Sequence, residues 1–419
     1  MHTIKFVPFA LLLQASAIFA TQSMPLTLPE AERMAVASAP ELQRLQATEE
    51  SLSQQSVAEG QLSDPKLMAG AINVPTNTFS FNQDDMTMIA VGLEQSFPHG
   101  HSLAIKSRQT QALANAEKRK AQEQIVMLLQ NVRKTWLDLY YWTHAARIIH
   151  RNRSLLANLL KVTTSQYSTG KNNLSNLLQT QVELTRLDDQ LTQIQQQIDV
   201  LRAQLGRWVG QTQANRPLPS SLPRWRNPAS LQVMQMRLQQ HPLLKVDAAN
   251  IEAARDEVAF AKEQFKPGFT VDLSYGIRQG NMVGGIPRSD MVTAQVSMDL
   301  PIFSKNRQGR RLQASRYQLE ATEFDQQIHY RNLLKELREE YAIWQRLGQR
   351  EQLFTRKLIP ETTQNSKAAL LSYQSANSDL TTVLRAYTNE RNIKLERLQV
   401  QIERAKIRAA LLYLEGLSK

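Results

Sequence analysis

The sequence is written twice. Displaced by about 200 residues, Pro40 falls on Pro242, Pro65 on Pro267, Pro98 on Pro301, Tyr167 on Tyr373, Leu174 on Leu380 and Gly210 on Gly416. Order and spacing are kept between the copies, so one structural unit is duplicated, over residues 21–215 and 229–419, and both copies must build the same elements. Between them, 216–228 holds Pro217, Pro219, Pro223 and Pro228 and reads as a linker.

Composition limits what such a unit can be. Only 15 glycines and 16 prolines occur in 419 residues, against an average of roughly 12% for the pair, so turns are scarce and elements long. Cysteine is absent, which excludes disulfides, thiolate chemistry and lipid attachment to a cysteine. Residues 1–20 read as an export signal: Lys5 supplies the charge, 6–13 the apolar stretch, and Ala15-Ser16-Ala17 or Ile18-Phe19-Ala20 the cleavage context. Beyond them no run of eighteen apolar residues exists, so a transmembrane helix is not expected.

Helical periodicity covers 28–62. Short extended runs follow at 67–74 and 86–97, separated by a polar stretch. A long helix is expected over 102–167 and, after a turn at 170–173, another reaching 210. The second copy repeats the order, with a helix over 231–265, strands at 269–277 and 291–300, a long helix from 307 and a last one to 417. Pro360 should kink or end the long helix, because it removes a backbone donor and clashes with the preceding turn.

The hairpin regions, 67–97 and 269–300, carry the sharpest pattern. Phe269, Val271, Leu273, Tyr275 and Ile277 alternate with polar residues or glycine, and Val292, Ala294, Val296, Met298 and Leu300 do likewise. Ile89, Val91, Leu93 and Phe97 keep the alternation, whereas 67–74 does not alternate cleanly. Such strands fit a soluble sheet lying on a helix. They also match the roughly 9–11 residues that cross a bilayer at a tilt. Four strands cannot close a barrel, and an open edge does not survive in lipid, so the second fit requires several chains.

The helices after each turn carry coiled-coil stripes. Leu177, Leu184, Leu187, Leu191, Ile194, Ile198, Leu201, Leu205 and Trp208 step mostly by three and four; Gln181 holds one polar seam position. In the last helix Leu380, Leu384, Tyr387, Leu395, Leu398 and Ile402 do the same, with Arg391 intervening. A solvated coiled coil and the wall of a tube both fit these stripes.

Together these residues resemble a known family. The run from Tyr167 to Gly170 followed by Leu174, Leu177 and Leu178 is similar to the helix-turn-helix tip of TolC-like outer-membrane factors, the outer membrane efflux proteins. So are Leu358-Ile359-Pro360-Glu361, Tyr373 to Ala376 and Leu380 to Leu384. His241-Pro242, Lys266-Pro267 and Leu300-Pro301 resemble the family's element junctions. The resemblance implies a mainly α fold with a β-barrel part: long antiparallel coiled-coil helices forming a periplasmic tunnel, and four transmembrane strands per chain completing a 12-stranded outer-membrane barrel in a homotrimer. It implies a passive exit duct docked to a periplasmic adaptor, or membrane fusion protein, and an inner-membrane efflux transporter. Metal ions or small toxic compounds are the favoured cargo. A type I protein secretion duct, or an exported structural coiled coil, is the alternative.

By the same resemblance Tyr167, Gly170, Leu174, Tyr373, Ala376 and Leu380 lie in adaptor-contacting tips, where Ala376 replaces the usual glycine. Family members line their periplasmic constriction with acids six and nine places after that glycine; here stand Thr382 and Arg385, with Asp379 nearby. Arg385 either lines the constriction, favouring anions, or points outward or pairs with Asp379 or Glu390.

The formal net charge of +12 raises nucleic acid as a partner, but the cations are interleaved with acids at helical spacing, as on a solvated face, and no nucleic-acid module is present. No catalytic motif or cofactor fingerprint occurs. His99 and His101 are the metal candidates, yet they follow Pro98 at a junction where polar residues serve local geometry.

Overall fold

The computed structural model describes residues 24–170, 173–375 and 377–416; the expected leader and Ala376 lie outside the described residues. The elements are α1 (Leu28–Ala37), α2 (Pro40–Glu59), β1 (Lys66–Ile72), β2 (Met88–Phe97), α3 (Ser102–Ser168), α4 (Leu174–Val209), α5 (Gln211–Ala214), α6 (Leu231–Leu238), α7 (Pro242–Glu263), β3 (Phe269–Ile277), β4 (Met291–Met298), α8 (Gln308–Leu353), α9 (Ile359–Gln374) and α10 (Leu380–Leu414). At 1.5 Å per residue α3 alone is about 100 Å long.

Two helices expected over 28–62 and 231–265 are each divided. Pro40 and Pro242 begin α2 and α7 in the first turn, where proline's missing N–H costs nothing. The hydrophobic spacing runs across both breaks, which is why periodicity concealed them. At Pro360 the long helix neither stops nor simply continues. Phe354–Leu358 widens into one π-helical turn, and Pro360 sits in the first turn of α9. That turn absorbs the register change forced by the missing donor.

The four strands form one antiparallel sheet in the order β1-β2-β3-β4. Each adjoins one helix in sequence, and the helices stand side by side in the same order: α2 on α3, α3 on α7, α7 on α8. Farther from the sheet, α3 packs on α4 and α10, and α10 on α8 and α9. The chain is therefore a wall whose sheet has two unpaired edges, β1 and β4.

The wall is pinned at mid-height. Trp136 of α3 is fully buried and donates its indole N–H to the Leu26 carbonyl at 3.1 Å. Tyr140 stacks on it at 5.5 Å and donates its hydroxyl to the Ser220 carbonyl. Arg133, 1% exposed, meets Glu32 at 2.6 Å, and Arg216 meets Glu30 at 2.7 Å. The residues before α1, α1 itself and the inter-repeat segment are thus strapped across the midpoint of α3. Removing either partner of Arg133–Glu32 leaves a charge stranded, which typically costs 3–5 kcal/mol.

A second latch joins strands to helices. Gly100 has φ +50°, and a Cβ there would lie 2.0 Å from Glu263 Oε2. That oxygen accepts from the His101 N–H at 2.7 Å and from Lys266 Nζ at 2.8 Å, tying the β2–α3 turn to the end of α7. Gly100→Ala is expected to cost on the order of 2 kcal/mol, through the left-handed backbone and the displaced carboxylate. A urea midpoint equal to wild type would show the latch to be dispensable.

His241 caps α7 while 1% exposed: Nδ1 accepts from the Leu243 N–H at 3.2 Å and Nε2 faces the Tyr413 carbonyl at 3.1 Å, which fixes the neutral Nε2–H form. Burial pushes its pKa from 6.5 down to about 4. Between those values the unfolded chain takes up a proton that the folded chain refuses. The resulting stability is whole above about pH 6.5 and falls as pH drops towards 4, on the order of 3 kcal/mol in all. Melting curves should show the gap between wild type and His241→Gln narrowing over that window; a pH-independent gap contradicts this.

Candidate functional site

Strand register assigns every side chain to one of two faces. On one lie the rows Leu67–Leu93–Leu273–Ala294 and Ala69–Val91–Tyr275–Val292, extended by Val271 and Val296. Leu67 is 71% exposed, Leu273 55% and Val292 69%, so an apolar surface four strands wide is bare. The opposite face carries the rows Lys66–Glu94–Asp272–Gln295 and Met68–Gly92–Ser274–Thr293, with Lys66 and Glu94 paired at 2.8 Å. The irregular pattern of 67–74 is explained by its neighbour: Leu67, Ala69 and Ala71 share the apolar face with β2, while Met68 and Ile72 place further apolar groups on the other.

Two loops close the far end of the sheet and are held together by Arg288. Its side chain is 6% exposed; it meets Asp85 at 2.6 Å and donates to the carbonyls of Asn82, Asp84 and Gln279. At the near end Phe97 stacks on Phe269 at 4.9 Å. His99 lies there with Nδ1 at 2.7 Å from the Lys266 carbonyl, and the His101 N–H is the group that Glu263 accepts. Both histidines therefore sit in the latch. Among the described residues no three His, Asp or Glu side chains gather to hold a metal ion, and no helix is long and apolar enough to cross a membrane.

The opposite end of the wall consists of the two helix-turn-helix tips, and the structure brings them together: the Tyr373 hydroxyl donates to Gln166 Oε1 at 2.9 Å. Tyr167 and Leu174 are 42% and 49% exposed, and Gly170 has φ +70° with open space around it. Asn173 caps α4 by accepting from the Asn176 N–H at 2.9 Å. Leu380, expected on the contact surface, is instead 1% exposed and packs in the core below the tip with Val383 and Leu384.

Of the constriction candidates, Asp379 is the N-cap of α10, accepting from the Thr382 N–H at 2.9 Å and from the Thr382 hydroxyl. The Thr382 bonds, aided by the nearby Arg385 charge, hold its carboxyl below the usual range. Thr382 and Arg385 are exposed. Glu390 does not pair with Arg385; it accepts from Lys394, Ser366 and Thr363. Arg385 lines a cleft of about 550 Å³ between α4 and α10, with Gln179, Glu183, Arg186 and Gln190 on the facing helix. The α4 residues recur at steps of four and three, which puts them on one helical face.

With this geometry, comparison with known proteins is direct. Residues 233–416 match the family model of the outer membrane efflux protein. A membrane protein from Pseudomonas aeruginosa superposes with a TM-score of 0.81 at 13% identity, over 93% of this chain and 90% of that one. The outer membrane protein VceC from Vibrio cholerae gives 0.76 at 15% identity, over 93% and 96%. The CmeC outer membrane channel of Campylobacter jejuni gives 0.78 at 11% identity, over 99% and 94%. A search of curated protein sequences finds no match. At such identities the superpositions speak for the fold, while the family model speaks for the sequence of the second half. Residues 233–416 thus carry the sequence pattern of the outer membrane efflux protein, and the chain as a whole has the fold of these outer membrane channels.

Proposed function

We propose that three copies of this chain form a passive exit duct in the outer membrane, each supplying four of twelve barrel strands and one third of a periplasmic helical tunnel. The observation that carries this reading is the bare apolar face of a sheet with two unpaired edges. Backbone N–H and C=O groups on a sheet edge find no partner in hydrocarbon, so the edges must join. Bacterial barrels begin at about eight strands, which one chain cannot reach. Along the sheet the strands alternate in direction, so β4 of one copy meets β1 of the next antiparallel, as every pair within the chain does. A solvated coiled coil has no use for such a face.

The polar rows on the other face then line the barrel, with the loops bound by Arg288 at the outer surface. The helices run into the periplasm as two repeats, 21–215 and 229–419. Tyr167, Gly170, Leu174 and Tyr373 present the docking surface for a periplasmic adaptor, itself bound to an inner-membrane efflux transporter. Metal ions or small toxic compounds are the cargo class that family resemblance favours. The duct is unpowered and performs no chemistry. Arg385 would contribute three positive charges at the periplasmic end, where a ring of one sign selects the opposite ion.

Detergent-extracted protein should have the mass of three chains and form discrete conductances in planar bilayers, with Arg385→Glu weakening or reversing the preference for anions in a salt gradient. A monomer that never inserts would defeat the barrel. Unchanged selectivity in a conducting mutant would remove Arg385 from the constriction.

A further inference from the structure

Arg391 interrupts the apolar seam of α10, and the structure leaves it in an unusual state. It is 8% exposed, yet its guanidinium bonds are to the side-chain oxygen of Asn392, the adjacent residue, at 3.3 and 3.2 Å. Among the described residues no carboxylate lies within 4.0 Å of it, and Glu183 acts on it only from farther away. Other buried arginines differ: Arg133 meets Glu32 at 2.6 Å, Arg288 meets Asp85 at 2.6 Å and Arg408 meets Glu415 at 3.6 Å. A buried cation without a carboxylate in direct contact is costly, and one held beside a solvent-filled cleft is relieved by an anion.

The cleft between α4 and α10 supplies the rest. Arg391 lines it together with Arg186 and Arg385, so three guanidiniums face one carboxylate, Glu183. Glu183 is occupied by Arg186 at 2.7 Å. Gln190, Asn389 and Asn392 add amides that can accept or donate. On its other side Arg391 borders a cavity of about 110 Å³ shared with Glu390 and Lys394, where Glu390 is already bonded to Lys394 at 2.6 Å. Glu183 and, at the cleft's outer end, Asp379 offset part of this charge, and the three guanidiniums still outnumber them.

We infer that the α4–α10 cleft is a binding site for small anions bearing phosphate or carboxylate groups, with Arg391 as its buried anchor and Arg186 and Arg385 as its outer clamp. Guanidinium forks match the paired oxygens of such groups, and a cleft of about 550 Å³ admits an anion of several heavy atoms. The site deepens the duct reading by naming a cargo class, and rests on that reading only for its supply of anions. Its test reads binding rather than conduction, so the two can fail separately.

Titration calorimetry of the full-length protein in detergent and low-chloride buffer, with pyrophosphate as probe, is the deciding experiment. Saturable binding is expected. Arg391→Gln should weaken it at least tenfold, Arg391→Lys less, and exposed Arg237→Gln on α6 not at all. Should Arg391→Gln fail to fold, the double variant Arg186→Gln, Arg385→Gln removes the exposed clamp and is expected to weaken binding by a similar factor. Absence of saturable binding, or wild-type affinity in both the Arg391 and the double variants, overturns the site. Hexaglutamate binding a hundredfold more tightly than pyrophosphate would overturn the small-anion assignment in favour of a protein carboxylate.

Discussion

A backbone amide must find a hydrogen-bond partner, and the two outer strands of the sheet are where this chain leaves that requirement open. The sheet exposes an apolar face that water disfavours, and it ends in two edges that lipid cannot satisfy. Within the chain, register, strand order and helix order all agree with one another. Each strand stands in line with a helix, so whatever pairs with an edge of the sheet also meets the helix beneath it.

Such a wall is long and thin, with little interior in the ordinary sense. Its rigidity comes from straps instead. Around Trp136, α1 and the inter-repeat segment cross α3 and bring Glu30 and Glu32 to buried or half-buried arginines. At the strand–helix boundary Glu263 gathers the His101 N–H and Lys266 around Gly100. At the tips, Tyr373 and Gln166 join residues 207 apart in sequence. These polar contacts sit where the apolar seams alone leave register undefined.

Much of this was legible in the residues. The alternation in 269–277 and 291–298 is clean because each strand carries an apolar face and a polar one. The long helices are equally plain, since their stripes persist over many turns. The breaks at Pro40 and Pro242 were hidden because apolar spacing continues through them, although proline at the first helical turn is the available signal. Pro360 was read as an interruption, and a π-helical turn took up the defect locally, which depends on neighbours rather than on the proline itself. Leu380 matched a tip pattern but faces the core, because a one-residue difference in helical phase decides exposure and sequence alone does not fix phase against a partner.

By itself, then, the sequence determined the element types, their order and the two-faced strands, because these follow from periodicity within a segment. Only the tertiary structure decided the strand order, the matching order of helices, the placing of Asp379 as a cap and the burial of Arg391 without a direct ion pair. Those depend on which distant segments meet. Carboxylates are spread along the chain, and among the described residues packing set none within 4.0 Å of Arg391.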